Sequence, residues 1–325
     1  MSLGSVLFAA GHGTRLRPLT ERLPKAAVPL LDVPLGAFGL AALLRRSAPV
    51  GVNLAHHAEL VRAALEPWAR GGGVEFFQEA PEPFGTAGTL AALRDRLAPT
   101  VLTWNADVVC TVDLEALLLQ HLAEGAAMTL VVVPAAAGAD VVVRDGRVTR
   151  LFDRRKEKSA RGHLFAGIAA LSLDRLDRSI HAPAGLTEAV LGPLVRQGDV
   201  AAFEHTGYFA DVGTPQRYLL ASLDLLEGRG PPPPVAWPGR RVTVEGAWAY
   251  VGPGADVQGS IGPGAVLLAG SVVARGARVE GAVVWTGETV PAGTEVKGTV
   301  YAPSLPRSGR QRARVTRGSI PPSGS

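Results

Sequence analysis

The sequence predicts an α/β protein that changes architecture near its C-terminal end. Three observations carry this reading. Strand-like and helix-like segments alternate through the first two-thirds of the chain. Four consecutive prolines, 231–234, break that alternation. Beyond them, aliphatic residues return about every six positions. Repeated β-then-α units argue for a Rossmann-like, mostly parallel sheet with helices on both faces. The hexads argue for a C-terminal left-handed parallel β-helix of hexapeptide repeats. The expected divisions are an α/β domain over 1–228, a Pro-rich linker over 229–238, the β-helix over 239–302 and a disordered basic tail over 303–325.

Ser5–Ala10 is a short apolar run that ends in glycines and reads as the first strand. Leu35–Leu44 reads as a helix and Val50–Ala55 as a strand. In the next helix Leu60, Val61, Ala64, Leu65 and Trp68 recur on one face. Val74–Phe77 reads as a strand, Thr89–Leu97 as a helix, Val101–Trp104 as a strand and Leu114–Leu122 as a helix. Thr129–Val133 is the next strand, with shorter pieces around Val141–Val143 and a further strand at Leu164–Leu171. Leu186–Arg196 reads as a helix, Asp211 follows a short strand, and Leu219, Leu223 and Leu226 mark a closing helix. The prolines of the linker cannot continue that helix and favour extended polyproline II.

In the hexad region Val251, Val257, Ile261, Leu267, Val273, Val279, Val284, Val290 and Val296 each begin a repeat. Three residues after six of these starts stands a glycine, at 254, 264, 270, 276, 287 and 293. The aliphatic residue is expected to point inward from a flat face, and the glycine to take the corner, where a side chain would collide. About three coils are expected, near the minimum for a self-supporting solenoid.

Composition narrows the function classes. The 325 residues are 47% hydrophobic and 19% charged, enough to bury a sizeable core. No apolar run approaches the length of a membrane span, and the first ten residues lack the basic start of a signal peptide. The single cysteine, Cys110, excludes an intrachain disulfide and a cysteine-cluster metal site. A cytoplasmic location is expected. The net charge of +4 comes from five arginines after residue 302; the rest holds 28 basic against 29 acidic residues. No nucleic-acid surface and no membrane partner are therefore expected. Lys156-Glu157-Lys158 reads as a solvated loop.

The strongest motif is Ala9-Ala10-Gly11-His12-Gly13-Thr14-Arg15-Leu16-Arg17-Pro18-Leu19-Thr20, followed by Pro24-Lys25. A strand runs into a glycine-rich turn and then meets clustered cations. Glycines expose backbone N–H groups to a phosphate chain; Arg15 adds a forked donor and Lys25 a mobile point charge. It is neither a P-loop, which needs Gly-Lys-Ser/Thr, nor a dinucleotide fingerprint, because Leu16 stands where the third glycine belongs.

These residues resemble the signature of the sugar-1-phosphate nucleotidyltransferases, which join a nucleoside triphosphate to a sugar 1-phosphate and release pyrophosphate. The resemblance recurs in order along nearly the whole chain. Phe77-Gln78-Glu79 with Phe84-Gly85-Thr86-Ala87-Gly88 is similar to the base-reading segment. Asn105-Ala106-Asp107 resembles the Asn-Gly-Asp metal motif, with alanine in place of glycine. Phe165-Ala166-Gly167-Ile168 is similar to the sugar-contacting strand, and Asp211-Val-Gly-Thr214-Pro215 to the segment that brings a second metal-binding aspartate. Within the family, Val52–His56 and Tyr218–Leu226 are most like bacterial mannose-1-phosphate guanylyltransferases. The Phe-Ala-Gly-Ile and Asp-Val-Gly-Thr segments are also similar to N-acetylmuramate-1-phosphate uridylyltransferases.

The resemblance implies Arg15, Lys25, Asp107 and Asp211 as catalytic residues. Ala9, Ala10, Gly11, Gly13, Thr14, Arg15, Gln78, Gly85, Thr86 and Ala87 would bind nucleotide. Lys25, Asn105 and Gly167 would bind the sugar phosphate, and Asp107 with Asp211 would hold Mg²⁺. The implied reaction is GTP plus mannose 1-phosphate to GDP-mannose. Uridylyl or thymidylyl transfer to glucose 1-phosphate or N-acetylmuramate 1-phosphate is the alternative, and a catalytically silent NDP-sugar-binding subunit is a reading of another class. The coils at 239–302 contain no histidine, which argues against acyl transfer there. Their flat faces allow a homo-oligomer.

Overall fold

The computed structural model describes residues 3–70, 72–152, 157, 161–305 and 316–317. The expected loop at Lys156 and Lys158 lies outside them, and so does most of the expected tail. The described part of the tail includes a buried Leu305, and Thr316–Arg317 pairs antiparallel with Thr294–Glu295.

The chain forms two compact units. One comprises 1–12, 24–27 and 35–211; the other comprises 13–23, 28–34 and 212–325. The first is built on a nine-stranded sheet. Its parallel half contains β1 (Leu3–Phe8), β2 (Val50–Leu54), β3 (Val74–Gln78) and β4 (Leu97–Asn105), in the order β3-β2-β1-β4. The order reverses between β1 and β4, and ligands of open α/β sheets bind outside the carboxyl ends of the strands at such a switch point. Helix α1 (Leu35–Leu44) is apolar on nearly every side and eight of its ten residues are buried. Helix α2 (Ala58–Ala69) buries only the stripe of Val61 and Leu65.

The other half of the sheet departs in part from the expected parallel pairing: Val200–Glu204 runs parallel to Met128–Ala135, but the other pairs in this half are antiparallel. The 11-residue strand Gly162–Ser172 inserts between β4 and Met128–Ala135 and runs antiparallel to both. Val141–Arg144 and Arg147–Leu151 form a hairpin, closed by Asp145 and Gly146, both with positive φ. Tight-turn chemistry favours adjacent antiparallel strands there, so the sheet is mixed. Val6, Leu130, Val132, Ala169, Leu171 and Val200 are fully buried in one core cluster. Each of the valines and leucines among them contributes about 1.5–3 kcal/mol of burial.

Helix α3 spans Gly85–Ala92 rather than the expected Thr89–Leu97, and β4 already begins at Leu97. The N–H groups of Ala87 and Gly88 both donate to the Ala184 carbonyl, which starts the helix early. The expected helix at Leu186–Arg196 is a π-helical turn, Thr187–Leu191, followed by a short α-helix, Gly192–Arg196.

In the second unit, Pro215–Leu226 is helical, with Thr214 as its N-cap accepting from the Arg217 N–H. The first strand after the linker, Arg240–Val244, departs from the expected coils and pairs antiparallel with Ala247–Val251; the strands from Ala247 to Tyr301 fall into three parallel ladders. Val251 pairs with Leu267, and Val266–Leu267 with Val283–Val284, then Val300–Tyr301. Val257 pairs with Val273, then Val290. Ile261 pairs with Val279, then Val296. Leu267, Val273, Val279, Val284, Val290 and Val296 are fully buried together. Val257 is 37% exposed, so the hexad pattern buries less at the first coil. The six hexad glycines have φ between 66° and 78°, the left-handed corner expected of them. The arrangement is consistent with a three-sided β-helix. Residues 28–34 belong to this unit: Tyr250 Oη donates to the Leu31 carbonyl at 3.1 Å and to Asp32 Oδ2 at 3.0 Å, and the Ala269 N–H reaches Asp32 Oδ1 at 2.9 Å. Burial pushes the Asp32 carboxyl above its ordinary range, against these two hydrogen bonds. Among the described residues no helix is long and apolar enough to cross a membrane.

Candidate functional site

A cavity of about 260 Å³ opens in the first unit outside the ends of β1 to β4. Phe8, Ala9, Ala10, Gly11 and His12 follow from β1; Asn105, Ala106 and Asp107 follow from β4. Asn53 comes from β2, Glu79 from just beyond β3, and Pro83, Gly85 and Thr86 from the start of α3. Lys25 and Ala26 complete the lining.

Lys25 Nζ and Asp107 Oδ2 form an ion pair in this cavity. Both side chains are mostly buried, at 12% and 22% exposure, so the charges meet where water screens them weakly. Asp107 occupies the turn between β4 and the strand Val108–Cys110. Asp211 ends the strand Phe209–Asp211 and pairs in register with Val108, one residue from Asp107. The two aspartates, 104 positions apart in sequence, are thus brought to neighbouring strands. Asp211 is not among the residues that line the cavity. Among the described residues no three His, Cys, Asp or Glu side chains gather as a metal site. A pair of carboxylates fits a hard cation such as Mg²⁺, which takes few protein ligands and completes its shell with water and phosphate oxygens.

Ala9, Ala10, Gly11, Lys25, Gly85, Thr86, Asn105 and Asp107, all expected as site residues, line this one cavity. The N–H groups of Ala9 and Ala10 both reach Asn53 Oδ1, at 2.7 and 3.3 Å, so they are engaged within the protein. Thr86 Oγ1 accepts from the Leu186 N–H at 3.0 Å, and Ala87 lies buried behind the cavity wall. Gln78 is exposed, and its amide donates to the carbonyls of Ala55 and Glu79. Gly167 does not line the cavity. It has φ +73°, and a Cβ there would stand 2.5 Å from Asn105 Nδ2. The strand shifts register between Phe165 and Ala169, so Gly167 serves the close packing of Asn105. Gly13, Thr14 and Arg15 belong to the second unit, where Gly13 has φ +63° and Thr14–Leu16 form a 3₁₀ turn.

Sequence reasoning gave no site role to Phe8, Asn53 or Pro83, and Glu79 entered only as part of the segment that resembles the base-reading one. A signal for two of them is present: Asn53 is a lone polar residue in an apolar strand, and Glu79 an acid directly after one. His12 Nε2 lies 3.3 Å from His56 Nε2. Burial pushes the Cys110 thiol up to about 11, so it stays protonated and takes no nucleophilic part at neutral pH.

The fold and the glycine turn with its Lys–Asp pair define a nucleotidyl transferase. The nucleotidyl transferase family model matches residues 4–228, and the chain belongs to that family. A mannose-1-phosphate guanylyltransferase from Mycobacterium tuberculosis is 28% identical over 290 residues, 85% of this chain and 76% of that protein. A mannose-1-phosphate guanyltransferase from Schizosaccharomyces pombe is 32% identical over 225 residues, 66% of this chain; the match spans 62% of that protein's length. The crystal structure of HddC from Yersinia pseudotuberculosis superposes with a TM-score of 0.59 at 22% identity, over 68% of this chain and 98% of that one. That likeness establishes the shared fold.

Proposed function

We propose that this chain condenses GTP with mannose 1-phosphate, giving GDP-mannose and pyrophosphate. The observation that carries the reading is the Lys25–Asp107 pair, held in a cavity at the sheet's switch point beside the glycine turn. The names of the relatives support guanine and mannose as the substrates.

In this mechanism an ionised phosphate oxygen of mannose 1-phosphate attacks the α-phosphorus of GTP. The bond from that phosphorus to the α,β-bridging oxygen breaks, and pyrophosphate leaves with the electron pair. The nucleophile is already an anion, so no general base is needed; positioning and charge compensation supply the acceleration. Lys25 offsets the negative charge brought together at the reacting phosphates, leaving Asp107 as it does so. Gly11, Gly13, Thr14 and Arg15 receive the triphosphate; Gly85, Thr86, Ala87 and Gln78 form the base side; Asn105 forms the sugar side, with Gly167 packed against it. Asp107 and Asp211 would hold Mg²⁺, which screens the repulsion between the phosphates when bound. In this reading 1–228 carries the chemistry, and the left-handed β-helix over 239–302 serves as an assembly platform for a homo-oligomer in the cytoplasm.

A pyrophosphate-release panel tests this. ATP, CTP, GTP, UTP and dTTP are crossed with the 1-phosphates of mannose, glucose, N-acetylglucosamine and N-acetylmuramate, with Asp107→Asn as control. The expected result is highest kcat/KM for GTP with mannose 1-phosphate, and a loss of about a hundredfold or more in the control. A preference for UTP or dTTP overturns the substrate assignment. Release that persists in the control overturns the role of Asp107.

A further inference from the structure

Three buried polar side chains, Asn53 on β2, Glu79 just beyond β3 and Thr89 on α3, link two segments that line the cavity. Asn53, Glu79 and Thr89 are only 2–3% exposed. Asn53 Oδ1 accepts the N–H groups of Ala9 and Ala10 in the glycine turn. Its Nδ2 donates to Glu79 Oε1 at 2.8 Å and to Thr89 Oγ1 at 3.1 Å. Glu79 Oε2 accepts the Phe84 N–H at 2.7 Å, directly before Gly85-Thr86. The Thr89 hydroxyl stands 2.6 Å from Glu79 Oε1 and 2.9 Å from the Gly85 carbonyl.

Each polarity in this chain is forced. Backbone N–H groups only donate, so Asn53 must turn its oxygen to the glycine turn and its nitrogen to Glu79. Glu79 must then accept on both oxygens. A carboxylate buried among these neutral donors is expensive to keep there. Its place there is held by the donors it and Asn53 satisfy: without these side chains the N–H groups of Ala9, Ala10 and Phe84 lose their acceptors.

We propose that Asn53 and Glu79 are positioning residues for the nucleoside triphosphate. They fix the spacing between the Ala9–Gly11 turn and the Phe84–Thr86 segment, so the nucleotide meets two preformed walls and does not have to order them. The proposal rests on the nucleotide-binding reading of this cavity.

A polarity swap is the test. Asn53→Asp sets two carboxylates face to face. Glu79→Gln sets an NH₂ group against the Asn53 amide or the Phe84 N–H, whichever way it turns. In the double variant the pattern is restored: the aspartate accepts from Ala9, Ala10 and the new amide, and that amide's oxygen accepts from Phe84. GTP affinity is read by calorimetry, the KM values for GTP and mannose 1-phosphate by pyrophosphate release, and the fold by thermal melting. Each single variant is expected to weaken GTP binding and raise its KM by about tenfold. The KM for mannose 1-phosphate should change much less, and the double variant should recover most of the loss. Thr89→Val, a milder deletion of one bond, is expected to raise the KM for GTP by about threefold. Single variants that bind GTP like the parent overturn the proposal. So does a double variant that melts like the parent without regaining affinity, or one that melts as low as the singles. A parent protein that binds no nucleoside triphosphate overturns the functional reading, and this proposal with it.

Discussion

At Gly167 one missing methyl group sets the position of a candidate sugar-phosphate ligand. The backbone there is left-handed, and the space a Cβ would need is taken by the Asn105 amide. Gly167→Ala therefore costs about 1–2 kcal/mol of backbone strain and pushes Asn105 toward the cavity. Lower kcat/KM with mannose 1-phosphate and a melting temperature reduced by a few degrees are the expected outcomes, read by steady-state kinetics and calorimetry; unchanged kinetics would separate Gly167 from the site. At this scale the sequence was informative about charge and less so about contact. Lys25 and Asp107 were each legible as candidates because the chemistry needs their charges, Lys25 for phosphate and Asp107 for metal; that the two meet as an ion pair was not. Asn53 and Glu79 were not, because their role is to satisfy backbone and side-chain donors that only the folded chain brings near. Ala9 and Ala10 illustrate the converse: the motif places them at the phosphate turn, and the fold engages their N–H groups on Asn53.

The helix Leu114–Glu124 shows how an element carries a titratable group into the core. Asp113 caps it by accepting from the N–H groups of Glu115 and Ala116, and Gly125 ends it in a left-handed turn. His121 is 1% exposed on its inner face, with Nδ1 2.9 Å from Thr129 Oγ1 and Nε2 3.0 Å from Ser172 Oγ. Burial holds its pKa below the ordinary histidine value, against a smaller opposing pull from Glu124. The unfolded chain takes up this proton near pH 6.5, whereas the folded chain resists it until lower pH. As pH falls through that window the unfolded state binds more protons and stability drops. Between about pH 7.5 and about pH 5.5, the urea midpoint is expected to fall less in His121→Gln than in the parent protein; an equal fall in both would remove His121 as the cause. The boundaries of α3 were misread for an element-level reason. Its first turn is started by the carbonyl of Ala184, almost 100 residues downstream, which no local pattern displays.

For the whole molecule, the compact units do not follow the division read from the sequence. Residues 13–23 and 28–34 belong with 212–325, and Asp32 is held there by Tyr250 and Ala269. Tyr218 Oη also donates to the Pro29 carbonyl at 2.5 Å. A chain truncated after residue 228, where the family match ends, loses the partners of Asp32. It is expected to melt well below the full-length protein; equal melting temperatures would show that the segment 28–34 needs no help from the C-terminal strands. By itself the sequence determined the α/β alternation, the hexad solenoid, the glycine turn and the charged groups around it, because periodicity, turn chemistry and ionic charge are properties of short stretches. Only the tertiary structure decided the antiparallel insertion of Gly162–Ser172 into the sheet, the fit of Gly167 to Asn105 and the polar bridge behind the glycine turn. Those depend on which distant donors and acceptors are buried together, and burial is fixed by packing the whole chain.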